Sequence, residues 1–316
     1  MNRELKIFSG TSNPQLAQRI CDYLGVPTGM ASISKFPDGE TFIKLEEDIR
    51  GRDIFVVQSI VHKPNEYLME LLIYLDCIRR ASAQRVTAVL PYYGYARQDR
   101  KDEGRTPITA KLVANMLVTA GADRVLAIDL HAGQIQGFFD IPLDHLEAQL
   151  MFLNYFRELK LENLAVVSPD LGSVKRCRTL ARHLGGRLAI VNKERLSSAN
   201  VRSDELIGSV EGLNVIMFDE MISTGGTVVA ASKLLKEHGA LDIYVAATHG
   251  LFCEPAPERL PEAPIKQILV SDSVPLPEKA RRIKNLTVLS VAPLLGEAIS
   301  RIHRNESVSS LFVNEE

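Results

Sequence analysis

Cysteine is sparse in this 316-residue chain. The four present, Cys21, Cys77, Cys177 and Cys253, are scattered, and no two have the close spacing of a zinc or redox motif. That rules out a zinc-ribbon or redox-pair reading and fits a reduced, cytoplasmic compartment. Long apolar runs are also missing. Nothing approaches the ~20 apolar residues of a membrane span, and the opening MNRELKIFSG holds no stretch of secretory-signal length. A soluble cytoplasmic protein with no membrane partner is expected. Neither charge is in excess: 37 Lys and Arg face 39 Asp and Glu, a net charge of −2. A general nucleic-acid binder is more basic than this, so nucleic acid is not an expected partner. Anionic small molecules stay open, because local charge holds them.

What is present is an ordinary globular composition, 46% hydrophobic and 24% charged, with length enough for two domains. Strand-like runs alternate with helix-period runs. Asp53 to Ser59 reads as a buried strand, and Leu68, Leu71, Leu72, Leu75 and Ile78 form a helical stripe. In TPITAKLVANMLVTAG, Thr106 is a plausible N-cap, Pro107 suits the first helical position and Gly121 suits the stop. The same grammar recurs in the second half, with NLAVVSPD, NVIMFDEMISTGG and DIYVAATHG as strands. This alternation predicts α/β domains with mostly parallel sheets flanked by helices. The boundaries are set at 1–146 and 147–316, joined near Asp144 to Leu150, with the tail able to pack back on the first domain. In such sheets ligands sit beyond the carboxyl ends of the strands, so chemistry is sought there.

The sharpest segment is NVIMFDEMISTGGT. A strand delivers Asp219 and Glu220, and Ser223-Thr224-Gly225-Gly226-Thr227 then opens a helix. Glycines let backbone approach an anion, and a helix N-terminus favours phosphate. The carboxylates can accept from ribose hydroxyls or bind magnesium through water. A glycine–threonine turn alone reads as a plain strand–turn–helix connection; the acidic pair at this offset argues for a sugar-phosphate seat. Elsewhere, Arg97, Arg100, Lys101 and Arg105 leave a strand end as a cationic run, either solvated or suited to phosphate oxygens. Lys193 and Arg195 fall in a polar loop after RLAIVN.

The Asp219–Thr227 stretch resembles the ribose-phosphate loop of type I phosphoribosyltransferases and of ribose-phosphate diphosphokinases. The blocks at 36–41 (FPDGET), 91–102 (PYYGYARQDRKD), 129–142 (DLHAGQIQGFFDIP), 166–176 (VVSPDLGSVKR) and 192–200 (NKERLSSAN) resemble the diphosphokinase family alone, in its order, as does the tail LLGEAISRIHRNESVSSLF. The resemblance implies two phosphoribosyltransferase-like domains. It also implies transfer of the β,γ-diphosphoryl group of ATP to the anomeric hydroxyl of ribose 5-phosphate. By it, Phe36 stacks on adenine, Asp38 and Glu40 accept hydrogen bonds around the base, and Arg97 and Gln98 hold ATP. His131 and Asp170 meet Mg2+, and Lys193 and Arg195 belong to a catalytic loop that offsets charge on the transferring group. Asp219, Glu220, Ser223, Thr224, Gly225, Gly226 and Thr227 hold ribose 5-phosphate. A dimer-based homo-oligomer, a hexamer, is implied, with the 36–41 hairpin serving a neighbouring subunit's ATP site and Ser307 and Ser309 near a regulatory site.

Several positions depart from the family pattern. Glu220 and Ser223 stand where aspartates are usual, Leu171 and Ser173 where alanine and glycine are, and Ser198 where a basic residue is common. These leave two other readings open: a weak or silent regulatory paralogue, and a phosphoribosyltransferase.

Overall fold

The computed structural model describes residues 4–101, 103–195 and 202–311, with the backbone alone at 193–195 and 202–204. Its contacts divide the chain between Glu147 and Ala148, and the segment from Ser290 belongs to the first unit.

The first unit contains β1 (Leu5–Ser9), α1 (Pro14–Leu24), β2 (Ala31–Lys35), β3 (Thr41–Leu45), β4 (Asp53–Val57), α2 (Pro64–Arg80), β5 (Arg85–Leu90), α3 (Thr109–Ala120), β6 (Arg124–Ile128) and β7 (Leu143–Leu146). Five of these strands form a parallel sheet in the order β1-β4-β5-β6-β7, and β2 and β3 make a separate antiparallel hairpin. The sheet is parallel because helical crossovers return the chain to the same edge, which buries both faces. Every residue of β4 is accordingly buried.

The second unit contains α4 (Gln149–Leu159), β8 (Leu164–Ser168), α5 (Val174–Leu184), β9 (Arg187–Arg195), β10 (Arg202–Ile207), β11 (Asn214–Ile222), α6 (Gly226–Glu237), β12 (Ile243–Gly250), α7 (Ala256–Arg259), β13 (Gln267–Ser271) and β14 (Leu286–Leu289). Its sheet runs β10-β9-β8-β11-β12-β13-β14, parallel except for the β9–β10 pair. The final helix, α8 (Ala292–Arg304), packs on α1 in the first unit. Gly296 permits that crossing, since a Cβ there would lie 2.4 Å from the Tyr23 ring. Arg85 latches the helix end to the sheet by bonding both the Asp53 carboxylate and the Ile302 carbonyl, 2.9 Å for the latter.

Three local expectations are corrected. The helix expected from Thr106 and Pro107 begins at Thr109. Thr106 instead donates to the Glu103 carbonyl, and Gln98 meets the start of α3, its carbonyl accepting from Ala110 N at 3.1 Å and its Oε1 from Thr109 Oγ1 at 2.5 Å. Leu72 packs against the core only half-buried, and Tyr74, outside the expected stripe, is fully buried beside Leu71 and Leu75. Lys193 and Arg195 lie in strand β9 rather than in a loop, opposite Asp204 and Arg202 of β10. The apolar run ends at Val191, but the antiparallel partner supplies the backbone bonds that carry the strand on.

Candidate active site

In the second unit the carboxyl ends of β8 and β11 bring two loops together. After β8, Asp170 Oδ1 accepts from Ser173 N at 3.0 Å, and Ser168 Oγ donates to the Asp170 carbonyl at 2.6 Å. The loop is thereby folded onto the start of α5. Ser173 Oγ then donates to Asp219 Oδ1 of β11 at 2.9 Å, and the same oxygen accepts from Glu220 N at 2.8 Å. So Ser173, a departure from the family pattern, ties the β8–α5 loop to strand β11. Leu171, another departure, points into solvent, 65% exposed.

Asp219 and Glu220 are adjacent in one strand, so their side chains leave opposite faces. Glu220 faces Arg176 of α5, with Nη1 3.7 Å from Oε2. Asp219 is pushed up to about 6, chiefly by burial and then by the negative charge of Asp170; its two hydrogen bonds hold it down in part. Two carboxylates that repel each other at a strand edge suit a divalent cation, and magnesium is satisfied by one or two carboxylates plus phosphate oxygens and water. Among the described residues no group of three or more His, Cys, Asp or Glu could hold a metal ion, so phosphates and water would complete its shell.

The turn after β11 has the conformation that its glycines allow. Gly225 caps α6 with φ 73°, in the left-handed region, and no side chain caps the helix there. A helix start without a side-chain cap is a place where an anion can be received. A Cβ at Gly225 would lie 3.3 Å from Leu260 and 3.4 Å from Ala256, so α7 backs the turn directly. Thr224 is exposed, and Ser223, Gly226 and Thr227 are half-buried.

In the first unit the candidate residues lie on three separate loops. The β2–β3 turn is closed by Phe36 N to the Glu40 carbonyl and Gly39 N to the Phe36 carbonyl, both 2.9 Å. Asp38 accepts from Glu40 N at 3.1 Å, so its first task is to hold this turn. Phe36 is 50% exposed and rests on Phe42 with ring centres 5.5 Å apart, which presents an aromatic surface to solvent. Arg97 is exposed within the loop after β5, whereas Gln98 is engaged with Thr109 as above. His131 is exposed in the segment after β6, beyond Asp129, a buried residue at φ 40°. His131 belongs to the first unit and Asp170 to the second. The side chains of Lys193 and Arg195, and all of Ser198, lie outside the described residues.

Sequence reasoning gave Ser173 and Arg176 no role. Arg176 was within reach of a helical argument, three residues past Ser173 on the first turn of α5. Ser173 was not, because its partner is 46 residues away.

The family is settled by the whole length of the chain. Residues 5–121 match the N-terminal domain of ribose phosphate pyrophosphokinase, and residues 192–313 match the phosphoribosyl synthetase-associated domain. A ribose-phosphate pyrophosphokinase of Rhodopirellula baltica is 54% identical over 98% of this chain and 99% of its own. This chain belongs to the ribose-phosphate pyrophosphokinase family. A second member, from Fusobacterium nucleatum, is 49% identical over 98% of each chain. The crystal structure of phosphoribosylpyrophosphate synthetase from Mycobacterium smegmatis superimposes with a TM-score of 0.91 at 44% identity, covering 96% of this chain and 100% of that one. The resemblance read from the motif blocks and the α/β fold with mostly parallel sheets are both borne out. No helix among the described residues is long and apolar enough to cross a membrane.

Proposed function

We propose that the chain is an active ribose-phosphate diphosphokinase, moving the β,γ-diphosphoryl group of ATP to the anomeric hydroxyl of ribose 5-phosphate and releasing AMP. The observation that carries this is full-length membership of the family, 54% identity over 98% of the chain, joined to a strand-end acidic pair followed by an uncapped glycine turn. The 223–227 turn is read as the seat of the sugar 5-phosphate. Asp219 and Glu220 lie just upstream, where ribose hydroxyls can donate to them. The exposed Phe36 ring, Asp38, Glu40, Arg97 and Gln98 are assigned to ATP; Gln98 positions its loop through Thr109 as well.

Diphosphoryl transfer asks for alignment and charge neutralisation more than for covalent catalysis. The anomeric hydroxyl attacks the β-phosphorus in line, and AMP leaves on the far side. Lys193 and Arg195 are assigned to offset charge on the transferring group. We assign a magnesium contact to Asp170 and another to His131. When bound, the ion neutralises phosphate charge. The chain is further read as a cytoplasmic, dimer-based homo-oligomer, a hexamer.

One assay decides between readings: AMP release with magnesium, ATP and ribose 5-phosphate. An active kinase forms AMP only when all three are present. A silent paralogue takes up both substrates and forms none. A transferase consumes phosphoribosyl diphosphate with a base and ignores ATP. The Ser223→Asp variant, run beside the native chain, adds a calibration: a large gain would mean that the missing carboxylate has compromised the natural protein.

A further inference from the structure

The short helix α7 ends in Arg259, a residue that no motif marks. Its position is fixed from beneath. Ala256 and Leu260 are fully buried, and they back the Gly225 turn at the contact distances given above. That register carries Arg259 over the turn. Its Nη1 lies 3.9 Å from the place a Cβ would occupy at Gly226, and Thr224 Oγ1 lies 3.9 Å from the same place. The guanidinium and the threonine hydroxyl thus flank the open side of the glycine.

An exposed arginine near acidic residues is ordinarily a solvated ion-pair partner. Two carboxylates do stand on this segment, Glu254 and Glu258, but Lys279 takes both, at 2.7 and 3.1 Å. Among the described residues, Arg259 has no ion pair of its own. The result is a guanidinium without an ion pair, set with the Thr224 hydroxyl beside a glycine turn whose helix has no side-chain cap. Guanidinium forks match phosphate oxygens, and a helix start favours the same charge.

We propose that Arg259 is a substrate-binding residue whose guanidinium contacts a phosphate oxygen of the sugar phosphate seated on the 223–227 turn. This rests on the reading of that turn as the sugar-phosphate seat. It extends the seat beyond the strand–turn–helix segment to a cation from the next crossover. Arg259 then discriminates the phosphorylated sugar from the bare one and has no part in holding the nucleotide.

The test is calorimetric titration of native chain, Arg259→Ala and Arg259→Lys with ribose 5-phosphate and, separately, with ATP. One charge-assisted contact at an exposed site predicts about a tenfold weaker affinity for ribose 5-phosphate in Arg259→Ala. Lysine keeps the charge but loses the fork, so about threefold is expected there. ATP affinity should stay within about twofold in both, since only the sugar-phosphate contact is removed. Native binding of ribose 5-phosphate with unchanged affinity in Arg259→Ala overturns this assignment and leaves the turn's role standing. Failure of the native chain to bind ribose 5-phosphate removes the turn's role, and this assignment with it.

Discussion

Ser173 offers the most direct handle on the electrostatics of the site. Its hydroxyl donates to Asp219 at 2.9 Å, one of two bonds holding down a carboxyl that burial and Asp170 push from 3.8 up to about 6. A hydrogen bond to a charged acceptor is worth about 1.5–3 kcal/mol, and each pH unit of displacement corresponds to about 1.4 kcal/mol. Replacing the hydroxyl in Ser173→Ala should therefore raise Asp219 by about one to two pH units. No helix cap is lost, because the Ser173 side chain does not cap α5. If ionised Asp219 receives a ribose hydroxyl, kcat/KM for ribose 5-phosphate falls with acid through the value of the free enzyme. The native acid limb is expected near pH 6, and the variant limb at pH 7 or above. Stability runs the opposite way with pH. A carboxyl raised above its unfolded value binds its proton more tightly in the folded state, so Asp219 destabilises progressively as pH rises from about 3.8 to about 6. Above that window the cost is complete, about 3 kcal/mol, and in the variant it is larger. An acid limb that does not move in Ser173→Ala, or a native limb near the ordinary carboxyl value, refutes the reasoning.

Other perturbations probe separate links. Lys193→Ala or Arg195→Ala should lower kcat about 10²- to 10³-fold with little change in KM for either substrate, as loss of a preorganised charge contact does; near-normal turnover in both removes them from the mechanism. Gly225→Ala combines a left-handed φ of 73° with a 3.3 Å contact to Leu260, so it should weaken ribose 5-phosphate binding measurably by calorimetry and cost about 1–2 kcal/mol of stability. Glu70→Ala should lower the thermal midpoint of the protein, a loss of about 1–3 kcal/mol, because it strips the acceptor from the buried Gln58 Nε2 and from Thr11 N and Oγ1; an unchanged midpoint would show those donors to be satisfied by water.

The parts of this molecule that were legible in advance are those with local causes. Gly121 stops its helix in the left-handed region, as punctuation alone suggested. The apolar run from Val215 to Phe218 is buried in the centre of its sheet, and the glycine turn that follows opens α6. What was illegible has distant causes. The start of α3 is met by Gln98, from the middle of the loop that begins at the carboxyl edge of β5. β9 runs on to Arg195 because β10 pairs with it, and no periodicity within 187–195 announces a partner after 201. Ser173, Arg176 and Arg259 acquire meaning from neighbours that only folding supplies. The motif blocks brought the family into view, but they said nothing of how a serine in the β8–α5 loop compensates inside it.

The two units also show how one grammar can give different outcomes. The first unit from its start, and the second after α4, runs through a strand, a loop and a helix, makes an antiparallel hairpin excursion, and returns to a strand lying parallel beside the first. In the first unit the donors of the two loops are spent internally. Thr11 N and Gln58 Nε2 both donate to Glu70 at 2.7 Å, and Ser12 N donates to Gln58 Oε1 at 3.1 Å. Glu70 is 6% exposed, and Gly10 has no room for a side chain, since a Cβ would lie 2.3 Å from Gln58 Oε1. A buried carboxylate thus fills the space between those loops, and an incoming anion would have to displace it against its own charge. In the second unit Asp170, in the loop after β8, and Asp219, in β11, repel, and β11 leads to a glycine turn whose helix has no side-chain cap. A helix start without a side-chain cap suits a phosphate, and mutually repelling carboxylates suit a divalent cation. That difference in local electrostatics, more than any difference in topology, is the physical reason to seat the sugar phosphate on the second unit.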